Sequence, residues 1–465
     1  MMKHLTFRII SLLFILNLGT GYLHAQVTDP YPPGPVPDRI ILTWEGDPAV
    51  SQSVTWRTNS LIDTAYAEIA LADPSPDFVH EAKTYIAKTT TFQSDNNLSK
   101  YHTVTFTGLQ PNTLYAYRVG RKDYWSEWFQ FRTAYDTQAP YTFMYFGDAQ
   151  NDIKSLWSRA IREAYSTMPK VDFMLHAGDL VNRCTRDAEW GEWFYAGGWL
   201  YGMIPSIATP GNHEYYRNEY DEAMLAPHWR PTFAFPDHGP KGYEEAVYVI
   251  DYQGTRFVSF DSRAALKGPE FMEVQVQWLD SVLANNPNIW TVVTLHHPLY
   301  SSKAGRDNPG LRENLKPLFD KYKVDIVLQG HDHTYSRGRN LQVGSRTVAS
   351  EGPVYVVSVS GPKMYDLGLE EWVDRAASNT QLFQLITIKP DTLIYKAYTV
   401  TGELYDAFDL VKVPDAPNQL IERTPEGVEE RLELPKRYQE GATEDEINAY
   451  NERFKAYKAR KAQEK

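Results

Sequence analysis

The sequence predicts two folded parts in tandem, an all-β antiparallel sandwich followed by an α/β core whose β-sheets are flanked by helices. Three observations predict this. Between residues 38 and 134, short runs alternate apolar and polar residues and are separated by turn residues, the pattern of half-buried strands. Beyond residue 140, continuous apolar runs of strand length alternate with amphipathic stretches of helix length, the pattern of sheets covered on both faces. The apolar runs of this second part end in Asp, Asn or His, at the strand exits where open α/β sheets build their sites.

Taken in order, residues 1–25 pair a basic start (Lys3, Arg8) with an apolar run from Ile9 to Leu18 and a small-residue exit ending at Ala25. This reads as a secretory signal and not a membrane span, so the expected location is a periplasm or the cell exterior. Residues 26–37 form a proline-rich lead-in. In 38–134, SVTWRT sets Val54 and Trp56 on one face and Thr55 and Arg57 on the other, and HTVTFTGL does the same with Val104 and Phe106. Regular spacing of such runs suggests seven strands. The run GLQPNTLYAYRV, with Leu109, Pro111, Thr113 and Tyr115, resembles the corner of a fibronectin type III domain. That resemblance implies a Tyr115 hydroxyl bonded to backbone across the turn.

After a linker at 134–140, the core over 140–412 reads as strands at TFMYFGD, DFMLHAGD, IPSIATPGN, RFVSFDS, WTVVTLHH and DIVLQGHDH. Helices are expected at IKSLWSRAIREAYS, FMEVQVQWLDSVLANN and LRENLKPLFDKY. Trp190, Trp193 and Trp199 read as core or cleft wall. The lone cysteine, Cys184, excludes an internal disulfide and reads as a packed thiol. The tail over 413–465 is charged. Within it, Thr443 and Glu446 form a capping-box pattern ahead of Ile447, Tyr450, Phe454 and Tyr457 at helical spacing, which predicts a helix packed on the body.

A net charge of -12 argues against a nucleic-acid polymer as partner, because such binding needs basic patches. It leaves room for a small phosphorylated substrate, since bound metal ions supply their own positive field. Six motifs point there: FGDAQ (Asp148, Gln150), HAGDLVNR (Asp179), PGNHEY (Asn212, His213), FDS (Asp261), LHHPLY (His296) and GHDHTYSR (His331, His333). Carboxylates, an amide and imidazoles hold iron, zinc or manganese. Two such ions clamp a phosphoryl group and supply a metal-bound hydroxide to attack it.

The motif series resembles the calcineurin-like metallophosphoesterases and, within them, the purple acid phosphatases, over residues 38–412. The resemblance implies that Asp148 and His333 bind a first metal, that Asn212, His296 and His331 bind a second, and that Asp179 bridges them. It gives His213 either the proton delivered to the leaving alcohol or a hold on the phosphate. His297 reads as a neighbour supporting the ligands, His176 as a satisfied core histidine, Asp261 as a backbone-bonding carboxylate, and Tyr335 and Arg337 as packing and ion-pairing residues.

Two positions depart from the family pattern. Asn182 stands where purple acid phosphatases place a metal-binding tyrosine, and Gln150 stands where other members place a histidine. An amide, Gln150 or Asn182, or water is therefore expected to complete the first metal, and no tyrosine-to-iron colour is expected. GDLVNR is similar to a segment of serine/threonine phosphoprotein phosphatases in which an arginine clasps phosphate, which implies that task for Arg183, with a structural salt bridge as the alternative. The expected function is an exported dinuclear-metal phosphomonoesterase. The alternatives are a phosphodiesterase or nucleotide hydrolase on the same core, and a degenerate metal-binding or recognition protein.

Overall fold

A computed structural model describes residues 29–339, 352–414 and 416–463; the expected leader, residues 1–25, lies outside the described residues. The first part is an antiparallel sandwich. One sheet runs in the order Asp38–Thr43, Ser51–Asn59, Leu98–Thr107, Lys88–Gln93. The other is built on Tyr66–Leu71 and Leu114–Arg121, with Lys83–Ile86 at one edge and both Tyr124–Trp125 and Phe129–Arg132 paired on Leu114–Arg121. These are more strands than the seven expected, for a simple reason. Lys83–Ile86 and Lys88–Gln93 are one run that changes sheets at Ala87, and Tyr124–Trp125 is a two-residue hairpin arm.

The period-two pattern delivers Val54, Trp56, Val104 and Phe106 to the sandwich core, where they meet Tyr117 and Phe131. The Tyr115 hydroxyl accepts from Gln110 N at 2.8 Å, closing the corner. The opposite face is not solvated. Thr55 and Arg57 are each 1% exposed, because that face packs on the second part, with Thr55 donating to the Thr232 carbonyl and Arg57 reaching Asp187 at 3.1 Å.

The second part is two seven-stranded sheets packed face to face. The first begins Ser206–Ala208, Phe173–His176, Tyr141–Phe146, in parallel, and continues antiparallel through Leu382–Ile388 to Gln419–Glu422. The second carries Thr255–Phe260, Trp290–Leu295, Ile326–Gln329 and Val354–Val357 in parallel. Phe143 and Phe173 stack at 5.0 Å between the sheets, and Phe257 of the second sheet meets both edge-on. Each such ring pair adds about 0.5–1.5 kcal/mol beyond its burial.

Helices cover the outer faces. Pro269–Ala284 and Pro309–Lys321 each start with proline at the first helical position, where a missing N–H costs nothing. They lay Leu279, Leu283, Leu311, Leu315 and Phe319 on Val258, Val293 and Val327. The expected helix near 153–166 begins as a π turn, Ile153–Trp157, and continues as Ser158–Thr167. The tail helix, Glu444–Gln463, buries Tyr450 and Tyr457 and is capped by Thr443 and Glu446 reciprocally at 2.8 and 3.3 Å.

Candidate metal centre

All the parallel strands leave the sheets at the same end, and the motif residues follow them. Asp148, Asp179 and Asn212 come from the first sheet; His296, His331 and His333 come from the second. The two sets meet because the sheets are tied there. Tyr145 donates from the first sheet to the Gln329 carbonyl of the second, and His296 Nδ1 bonds the Ala177 carbonyl at 2.9 Å. That bond sets the His296 tautomer and leaves Nε2 facing the cluster. Asp148, Asp179 and His331 hold left-handed backbone, with φ of 44°, 54° and 72°, a strain of about 1–3 kcal/mol each that clusters at functional sites. A Cβ on Gly211 would lie 2.1 Å from Asp179 Oδ1, so only glycine lets the Asn212 loop approach the carboxylate.

Six expected ligands converge. Donor atoms of Asp148, Asp179 and His333 lie within 4.8 Å of one another, and so do those of Asp179, His296 and His331. Asp179 belongs to both groups. His296 Nε2 lies 3.1 Å from Asp179 Oδ2, 3.1 Å from Asn212 Oδ1 and 3.2 Å from His331 Nδ1. One N–H cannot serve three partners. Burial opposes charge on His296, but Asp179 and Asp148 outweigh it and raise its pKa to about 9, so the two carboxylates favour positive charge at this position. Asp148, raised by burial and by Asp179, keeps Oδ1 buried without a hydrogen-bond partner.

Both observations, with an all nitrogen-and-oxygen donor set, fit two ions of the iron, zinc or manganese kind. Gln150 completes the fit. Its Nε2 lies 3.0 Å from Asp179 Oδ2 and 2.9 Å from His333 Nε2, while Oε1 is buried and unpartnered. Half a turn of the amide puts that oxygen on the cluster. Of the two amides expected there, Gln150 is the one whose side chain contacts the ligands; Asn182 engages the site through its carbonyl, which accepts from His213 Nδ1 at 2.6 Å.

His213 sits on the rim, its backbone N–H donating to Asp179 Oδ1 at 2.8 Å and its Nε2 4.0 Å from Asp179 Oδ2. Arg183 is not drawn to the cluster. It is exposed and pairs with Glu189 at 2.9 Å, the structural salt bridge that competes with a phosphate role. His297 bonds Ser262 Oγ at 3.0 Å and packs its ring 4.2 Å from that of His331. Asp261 caps Ser262–Ala265 through Ala264 N at 2.9 Å and accepts from Tyr215. Tyr335 and Arg337 both bond the buried Asp406. Cys184 is buried, and burial pushes its thiol up to about 12.

Two expectations need correction. His176 is a core histidine but not a satisfied one: it lies among Phe146, Trp157 and Trp193, both ring nitrogens lack partners, and burial lowers its pKa to about 3. Trp190 and Trp193 are fully buried, but Trp199 is 49% exposed and not a core ring, packing edge-on against Tyr165 at 5.1 Å.

Sequence reasoning missed two carboxylates that sit inside its own motifs. Glu214, in PGNHEY, is buried and accepts from Asp179 N, Leu180 N and Gly211 N at 2.8, 2.8 and 2.7 Å. It holds the bridging aspartate loop against the Asn212 loop, and burial with the Asp179 charge raises it to about 7. Asp332, between the two histidines of GHDH, accepts from Ser302 N at 2.7 Å and Arg306 Nη1 at 2.6 Å. The signal was present as a carboxylate within two residues of a ligand.

Comparison with known proteins agrees with this geometry. Residues 37–133 match the purple acid phosphatase N-terminal domain, and residues 141–335 match the calcineurin-like phosphoesterase domain. The chain is 28% identical over 388 residues to acid phosphatase type 7 of Homo sapiens, covering 75% of this chain and 82% of that protein. It is 26% identical to phosphoenolpyruvate phosphatase of Allium cepa, over 66% of each chain. The fold is that of a purple acid phosphatase from yellow lupin seeds (Lupinus luteus), with a TM-score of 0.68 and 19% identity over 81% of this chain and 74% of the other. Two adjoining family domains, relatives along most of the chain and paired donor groups lead to one conclusion: the chain belongs to the calcineurin-like metallophosphoesterases of the purple acid phosphatase kind and is a metal-dependent phosphoester hydrolase.

Proposed function

We propose that the protein is an exported phosphomonoesterase with a dinuclear metal centre. The observation that carries the reading is the pair of donor groups sharing Asp179. Asp148, His333 and the Gln150 oxygen would hold the first ion, Asn212, His296 and His331 the second, and Asp179 both. When bound, the ions supply Lewis-acid polarisation of the phosphoryl group and a water made nucleophilic near neutral pH.

The chain's own part is to orient and to move a proton. Glu214 ties the Asp179 loop, through Asp179 N and Leu180 N, to Gly211 N of the Asn212 loop, so the shared carboxylate is placed before substrate arrives. The Asn182 carbonyl holds His213 Nδ1 and fixes the ring, so that a proton carried on Nε2 can reach the leaving oxygen. The lack of phenolate at position 182 supports zinc, manganese or ferrous iron as occupants. Iron-loaded protein should show no strong visible band. Export rests on the leader sequence; among the described residues no helix is long and apolar enough to cross a membrane.

The test is hydrolysis of a chromogenic aryl phosphomonoester beside its diester analogue, with Mn²⁺, Zn²⁺ or Fe²⁺ and with chelator. Metal-dependent turnover that favours the monoester is expected. A preference for the diester would reassign the protein to diester hydrolysis, and no turnover with any metal would leave a binding protein.

A further inference from the structure

The rim beside His333 is built as firmly as the ligands themselves. Segments 301–306 and 363–368 are joined by a bridge between Lys303 and Leu367 and by Gly368 N donating to Ser302 O at 2.7 Å. Both hang from the ligand loop. Asp332 accepts from Ser302 N and Lys303 N at 2.7 and 3.2 Å, His333 Nδ1 bonds the Lys363 carbonyl at 3.0 Å, and Tyr365 N donates to His333 O at 3.0 Å.

The Tyr365 ring lies 4.7 Å from the His333 ring and gathers three cations. Lys303 Nζ is 5.6 Å from its centre, Arg306 Cζ 5.5 Å and Lys363 Nζ 5.5 Å. Arg306 is engaged by Asp332 at 2.6 Å, and the nearby Asp366 is held by Arg453 at 3.3 Å. Among the described residues, no ion pair is made by Lys303 or Lys363. Lys303 and Lys363 are half-buried residues, and both place their ammonium groups within 5.6 Å of the Tyr365 ring centre, beside His333, in a chain whose net charge is -12. An anion bound at this rim is attracted by both.

We propose that Lys303 and Lys363 form an anion subsite that receives a second phosphate of the substrate while the scissile phosphate lies at the metal centre. The favoured substrates are then diphosphates, as an anhydride or as two esters on one carbon skeleton, and the inference rests on the phosphoester reading above. Hydrolysis breaks one P–O bond and forms another from water. One water proton goes to the leaving oxygen, inorganic phosphate departs, and the second phosphate stays on the product.

The test compares kcat and KM for an aryl monophosphate, inorganic pyrophosphate and a hexose bisphosphate in wild type, Lys303→Gln and Lys363→Gln. Lys455→Gln serves as a control, since Lys455 is exposed and pairs with Glu452. Relative to the aryl monophosphate, kcat/KM for one or both diphosphates should fall roughly tenfold through KM in the two rim variants, the size of one charge-assisted contact. Lys363→Arg should recover the ratio. Which diphosphate responds distinguishes the anhydride from the two-ester source. Ratios unchanged in both rim variants overturn the proposal. Calorimetric binding of pyrophosphate to metal-loaded protein separates the two readings. Affinity weakened by Lys363→Gln without turnover of any substrate keeps the subsite and overturns the hydrolase; equal affinity overturns the subsite.

Discussion

Two of the buried charged clusters among the described residues are built on opposite plans. At the junction of the two parts, Asp187 takes Arg39 at 2.7 Å, Arg57 at 3.1 Å and His228 at 3.2 Å, while Arg57 also holds Asp38 at 2.7 Å. Two arginines answer two aspartates, and both Asp187 oxygens are engaged. At the metal centre, Asp148 and Asp179 face imidazoles and amides, with an Asp148 oxygen and the Gln150 oxygen left over. A cluster that neutralises itself is a brace. One that keeps unspent oxygens at a strand exit is a receptor for cations. The brace serves the receptor: Asp187 begins the helix Asp187–Gly197, whose Glu189 receives Asn182 N at 2.9 Å and Arg183 N at 2.7 Å.

The comparison can be broken at several points. The largest effect is expected from Asp179→Asn, which keeps a side-chain oxygen for His213 N but weakens both ion sites. Activity on the aryl phosphate should fall about a thousandfold or more, since the ions supply several kcal/mol; retained activity would remove the shared-ligand reading. Next, stripping metal by chelation should lower Tm, and returning Zn²⁺ or Mn²⁺ should restore about 3–4 kcal/mol of stability at saturating excess. Thermal melts with and without metal check this.

Asp187→Ala should cost about 3–5 kcal/mol in a denaturant titration, because it leaves the buried Arg39 guanidinium without its carboxylate and removes one of the two that hold Arg57. The same residue sets a pH signature. Burial pushes its carboxyl up, but His228, Arg39 and Arg57 outweigh burial and hold it well below the usual range. A lowered carboxylate contributes stability that is full above about pH 4 and is lost as pH falls further; Asp187→Asn should flatten that acid arm of the stability curve.

A smaller effect is expected at Gln150. Gln150→Ala should weaken metal affinity by about 10–100-fold, the scale of a supporting ligand, read by metal titration. Arg183→Ala should be smallest. Its pair with Glu189 is worth about 0–1 kcal/mol of stability. A raised KM at unchanged kcat would show that substrate draws the guanidinium from Glu189, and an unmoved KM would leave it with the ion pair alone.

Much of the centre was legible because its donors are sequence-local. Asp148, Asp179, Asn212, His296, His331 and His333 each end an apolar run, and period and strand length place them at one edge of the sheets. What was not legible needed two distant segments at once. Glu214 and Asp332 look like ordinary acids until the backbone N–H groups of other loops close on them. Thr55 and Arg57 alternate as a solvated face would, and only the docking of the second part buries them. His176 reads as any core histidine, and its unpartnered nitrogens follow from rings supplied by four other segments.

The sequence by itself determined the order of the parts, the strands that end in the candidate donor residues and the amide in place of a phenolate, because these depend on residue type and on periods of two and 3.6. The tertiary structure alone decided that Gln150 and not Asn182 presents its side chain to Asp179 and His333, that Arg183 faces Glu189, and that Lys303 and Lys363 share the ring of Tyr365. Those outcomes depend on which loops meet across two sheets, and an electrostatic partner is set by distance in space, which the spacing of residues along the chain does not encode.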